Sequence, residues 1–175
     1  MTALKKGFTL IELLIVIAIL GVLAVVVLVA INPVEQLAKT RDAGRISSVI
    51  QLGHAVVAFY TAHNATYPLA ATWGTELTTS GELSVVPSGI KYSAYSVSYC
   101  TTNELPATDP TWCYALDATN GVLVYARMES TNQNARCVSP IVAYAVYSTA
   151  DGRGGVICST GEPTPWAPGG HVYVN

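Results

Sequence analysis

The chain predicts an α+β fold: a long N-terminal helix, membrane-spanning in its first half, packed on an antiparallel sheet of about four strands. Three observations carry this. Leu13–Ile31 contains only Leu, Ile, Val, Ala and Gly. Apolar residues then recur at three- and four-residue spacing as far as about His63, the period of a helix with a buried face. From residue 92 onward the pattern changes to short runs rich in Tyr, Val and Ile, bounded by Gly, Pro, Asn, Asp and Thr, as strands and turns require.

As a helix, the uncharged run would span roughly 28 Å, close to the ~30 Å hydrocarbon core of a bilayer. An ordinary secretory signal has a shorter apolar region, about 7–15 residues, and ends at a small-x-small site. Leu28-Val29-Ala30 is a poor site of that kind, and the helical pattern continues past it. A plain signal-anchor fits the length but gives no reason for a carboxylate at Glu12. Such a charge costs about 2.5–3.5 kcal/mol near the centre of a membrane helix and less near an interface.

Glu12 belongs to a larger pattern, Lys5-Lys6-Gly7-Phe8-Thr9-Leu10-Ile11-Glu12-Leu13-Leu14. A cationic leader, a Gly-Phe junction and one carboxylate at the head of a membrane-length helix resemble the type IV pilin and pseudopilin family. The resemblance implies a leader, residues 1–7, removed after Gly7 by a prepilin peptidase that also methylates the new Phe8 amine. It implies that Glu12 pairs with the Phe8 amine of a neighbouring subunit when these helices bundle. An unpaired charge there is strongly disfavoured, so pairing would penalise wrong axial register. Lys5 and Lys6 place the leader on the cytoplasmic side by the positive-inside rule, and the remainder beyond the membrane. Their loss moves the formal charge from −2 to −4. The implied partners are further copies of the chain in a helical filament, the peptidase/methylase and an inner-membrane assembly platform.

The hydrophobic helix is assigned to residues 8–33, with expected weak points at Gly21 and at Asn32-Pro33, where proline removes a backbone donor. The globular domain is assigned to 34–175, with an amphipathic helix over 34–63. One stripe there is Ile46, Val49, Ile50, Gly53, Val56, Val57 and Tyr60; a second is Leu52, Ala55, Phe59 and Ala62. The first is expected to pack on the sheet and the second to be available to neighbouring subunits, unless loops cover it. Asp42 and Arg45, three apart, read as an exposed pair worth a few tenths of a kcal/mol. Asn64-Ala65-Thr66-Tyr67-Pro68 ends the helix, and the run from Phe59-Tyr60 to Tyr67-Pro68 also looks like the helix exit of pilins.

Residues 69–91 form a connecting region, and 92–175 the sheet and C-terminal loop. The four expected strands are Tyr92–Cys100, Trp112–Asp117, Val122–Arg127 and Ile141–Tyr147, with Ala118-Thr119-Asn120-Gly121 as a hairpin turn. After Asp151 the chain reads as mostly loop, with short terminal strands at Val156–Cys158 and Val172–Val174. Cys100, Cys113, Cys137 and Cys158 all fall on the exported side. An even count in an oxidising compartment reads as two disulfides with three possible connectivities. Neighbourhood in sequence favours Cys100–Cys113 and Cys137–Cys158.

No enzyme is expected. No CxxC spacing occurs, and His54, His63 and His171 are scattered, the last two reading as surface residues. Asp151-Gly152-Arg153-Gly154 is too thin for a calcium loop. Gly152-Arg153-Gly154-Gly155 lacks the Lys-Ser/Thr of a phosphate loop, and the few carboxylates form no acid/base pair. Asn64-Ala65-Thr66 matches a glycosylation sequon that occurs often by chance. Metal, cofactor and nucleic-acid sites are therefore not expected. Charged residues are 11% of the chain, against about 25% in typical proteins, which suits a surface that packs against copies of itself. The reading is a prepilin built into a type IV pilus, membrane-bound before assembly and extracellular after it. Two alternatives are a type II secretion pseudopilin or minor pilin, and a monomeric membrane-tethered binder using loops around Trp73, Trp112 and Trp166. Glu12 argues against a tip subunit, because relatives in that role can lack it.

Overall fold

The computed structural model describes residues 7–92, 100, 103, 105 and 111–174. The chain divides into two units, Met1–Leu37 and Ala38–Asn175. In the first, α1 runs from Leu10 to Ile31 without interruption at Gly21, and every residue of it is exposed. It stops at Asn32, which takes the left-handed conformation (φ 44°, ψ 76°). Asn is among the few residues that tolerate it. The same residue starts α2 (Pro33–Ala62): its side-chain carbonyl accepts the Glu35 N–H at 3.4 Å. Pro33 occupies the first helical position, where a missing N–H costs nothing.

In the second unit the later part of α2 packs on a four-stranded antiparallel meander. Its strands are β1 (Cys113–Asp117), β2 (Gly121–Arg127), β3 (Val142–Ser148) and β4 (Arg153–Ser159), in sequential order. Two short helices, α3 (Trp73–Thr79) and α4 (Thr131–Asn134), lie in the connections. Side chains of β2 alternate between two cores. Val122, Val124 and Ala126 join Val49, Leu52, Val56 and Phe59 of α2, while Leu123 and Tyr125 join Tyr144, Val146 and Ile157 on the opposite face. A strand buried on both faces reads as a continuous apolar run, which is why 122–126 shows little polar alternation. Gly53 lets α2 reach the sheet: a Cβ there would lie 2.1 Å from Cγ of Tyr147. Gly121 closes the β1–β2 turn at φ 81°, where Asp117 Oδ1 accepts the amides of Thr119 and Asn120.

The expected strand count holds, but its membership changes. Tyr92–Cys100 lies outside the described residues except for its two ends. The fourth strand of the sheet is β4, longer than the Val156–Cys158 fragment expected in a loop-like tail. Its Gly-Gly start hid it: Gly154 and Gly155 weaken strand propensity. They are small because Ile50 and Tyr173 pack over them, 2.6 Å from where each Cβ would stand. Val172–Val174 contributes only a bridge between Tyr173 and Ile157. The connecting region also holds α3, with Trp73 and Leu77 buried.

Two surface assignments are also corrected. Leu52, Ala55 and Phe59 are not free for neighbours; they share a core with Trp73, Leu77 and Leu83, because the connecting region closes over that side of α2. Only Ala62 of that stripe stays exposed. Asp42 and Arg45 are not an exposed pair, their side chains being 1% and 0% accessible. Arg45 Nη1 donates to Asp42 Oδ1 at 2.8 Å, and Nη2 to the carbonyls of Ile90 and Lys91 at 3.1 and 3.3 Å. The Arg45 guanidinium stacks on the Tyr92 ring at 3.9 Å. Asp42 accepts the backbone amides of Glu129 and Ser130 at 3.0 and 2.8 Å, and Arg41 pairs with Glu129. Two ionised side chains on α2 thus hold the connecting region and the segment after β2. Disulfides join Cys100 to Cys113 and Cys137 to Cys158, each contributing about 3 kcal/mol by the chain-entropy estimate.

The tail is tied down as well. Asp151 accepts the Gly169 amide at 2.6 Å, the Tyr173 hydroxyl at 3.0 Å and a hydrogen bond from His171 Nδ1 at 3.0 Å. The His171 side chain is 4% accessible, so it is not the surface residue expected. His63 is exposed and stacks on Phe59.

Candidate assembly site at the N-terminus

α1 begins at a reciprocal cap. Thr9 is the N-cap, extended at φ −84°, ψ 151°, and its hydroxyl oxygen accepts the Glu12 amide at 3.3 Å. Glu12 returns the bond: its Oε2 accepts the Thr9 amide at 2.8 Å and the Thr9 hydroxyl at 2.7 Å. Two of the helix's orphan amides are satisfied in this way. Thr-x-x-Glu before an apolar run is the sequence signature of this cap. The cap leaves acceptor capacity on Glu12, because a carboxylate offers about four acceptor positions and the cap uses one oxygen.

Gly7 and Phe8 precede the cap and are exposed, Phe8 at 81%. No described atom lies within 4 Å of the place a Gly7 Cβ would take, so packing within the chain does not require glycine there. Downstream, α1 offers 22 residues long and apolar enough to cross a membrane, none buried. That is roughly 33 Å of helix. Lys5 and Lys6 fall outside the described residues.

The other sequence candidates do not converge on a site. Trp73 and Trp112 are 1% and 0% accessible, and their indole N–H groups donate inward to the carbonyls of Asn103 and Pro87 at 3.1 and 2.9 Å. They hold the connecting region and are no recognition surface, which removes two of the three aromatics of the tethered-binder reading. Trp166 alone is exposed, at 57%. Among the described residues no group of three His, Cys, Asp or Glu could hold a metal.

Residues 3–28 match the family model described as the prokaryotic N-terminal methylation motif. This stretch is the class III signal peptide of type IV pilin-like proteins. It marks a pilin-like or pseudopilin precursor in general. Precursors with this motif are substrates of prepilin peptidase, and the apolar α1 fits anchoring in the membrane. No curated protein and no solved structure matches the chain.

Proposed function

We propose that the chain is the structural subunit of a type IV pilus, cut after Gly7, methylated on the Phe8 amine and polymerised through α1. The observation that carries this reading is a wholly exposed 22-residue apolar helix headed by one carboxylate. Moving such a helix from lipid into a filament core gains little hydrophobic energy, since lipid tails are as apolar as leucine. Packing and charge pairing must then choose the register. Glu12 lies four residues after the Phe8 amine that cleavage would create. A neighbour displaced axially would bring that amine level with the Glu12 carboxylate, and any other register would leave both charges in an apolar bundle. On this reading the leader is residues 1–7, the core helix 8–33 and the displayed domain 34–175. The peptidase/methylase and an inner-membrane assembly platform are its partners, and the finished fibre is extracellular.

Intact mass and N-terminal analysis of protein sheared from the cell surface tests this. A chain starting at methylated Phe8, recovered in long filaments, is the expected result. Mature protein confined to the cell envelope would assign the chain to pseudopilins or minor pilins instead. An uncut Met1 would overturn assembly altogether.

A further inference from the structure

Two open clefts of about 280 and 440 Å³ adjoin on the outer face of the sheet, and both are lined by Glu162 and Trp166. Large exposed side chains usually sample several rotamers, but this indole is braced. Gly170 passes so close that a Cβ would lie 2.9 Å from Cβ of Trp166. The His171 ring stacks on the indole at 6.0 Å, and its two nitrogens lie 3.0 Å from Asp151 Oδ2 and 3.1 Å from the Thr164 carbonyl oxygen, one of which accepts its N–H. The neighbouring carboxylate is oriented too, since Glu162 Oε2 accepts the Tyr125 hydroxyl at 3.0 Å. Asp117 adds a second carboxylate to the larger cleft. Neither lysine nor arginine lines either cleft among the described residues.

A fixed indole face carries a negative quadrupole, and carboxylates beside it raise the local negative potential. Both features repel phosphate, sulfate and carboxylate ligands and favour a soft cation. We propose that the Glu162–Trp166 clefts bind an alkylammonium group, its positive head against the indole and the Glu162 carboxylate. Preorganisation keeps the ordering cost low, which is what lets a shallow cleft bind at all. The chemistry fits a lysine side chain or polyamine as well as a quaternary ammonium, and the test separates these sources.

Trp73 and Trp112 are shielded from solvent, so solvent-sensitive emission reports Trp166. The full chain in a nonionic detergent should show a saturable change in emission with choline or with cadaverine. A response to choline alone assigns the clefts to quaternary ammonium, and one to cadaverine to primary amines. Glucose and sulfate should leave the spectrum unchanged. Glu162→Gln keeps an acceptor for Tyr125 and should weaken binding about threefold or more. Trp166→Leu, followed by broadening of the choline methyl NMR signal, should weaken it at least about threefold. Absence of saturation with both amines, an equal response to glucose, or unchanged affinity in Glu162→Gln would overturn the proposal.

Discussion

Glu12 shows how one side chain serves the free helix and, on the proposed reading, the assembled one. Within the chain it is an acceptor completing the Thr9 cap; in a filament it is a charge. The two roles separate by mutation. Glu12→Gln keeps a side-chain acceptor at the third helical position, so helix content by circular dichroism in detergent should be unchanged, while filament recovered by shearing should fall at least about tenfold. Thr9→Val removes the cap but not the charge. It should cost about 1 kcal/mol of helix stability and reduce filament yield much less. Asp151 gives a second test at this scale. Burial acts to raise its pKa, but hydrogen bonds from the Gly169 amide, His171, Tyr173 and Ser148 outweigh it, and the carboxyl sits below its ordinary 3.8. A depressed acid stabilises the fold above its unfolded pKa. That stability declines once the pH drops below about 3.8 and is gone below the folded pKa. Trp166 emission should therefore shift to the red in acid, and Asp151→Asn should abolish that step.

Among the elements, α2 is where periodicity and packing part company. Stripes at 3–4 spacing identified the helix and its sheet-facing side, yet the second stripe is covered from within the chain, by Trp73, Leu77 and Leu83. A stripe tells which residues seek burial and not what buries them. Gly53 records the contact between α2 and β3 most directly. Gly53→Ala raises helix propensity by about 1 kcal/mol, but its methyl would stand 2.1 Å from the Tyr147 ring carbon. Overpacking of that kind typically costs about 1–3 kcal/mol. The variant should lower the urea midpoint despite the better propensity, and adding Tyr147→Ala should erase that overpacking loss.

Across the whole molecule, the ionised cluster Asp42–Arg45–Glu129 joins three distant parts of the sequence. Arg45→Met would leave the buried Asp42 carboxylate without its ion pair, while Glu129 keeps Arg41, and should destabilise the domain by about 3–5 kcal/mol. Combining it with Asp42→Asn should cost less than the sum of the two changes, a coupling a double-mutant cycle in urea would measure. The N-terminal signal, the apolar helix, the Asn-Gly turn and strands β1 to β3 were legible because each is written locally, in hydropathy, period or turn chemistry. The burial of Asp42 and Arg45, the inward Trp73 and Trp112, the glycine-led β4 and the braced Trp166 were not. Each depends on segments far apart in the chain arriving at the same place. Local chemistry along the chain thus suffices for the membrane-length helix and the motif of the precursor. Which polar residues are core and which aromatic faces solvent is set in three dimensions, because burial is a property of what packs on a residue and not of the residue.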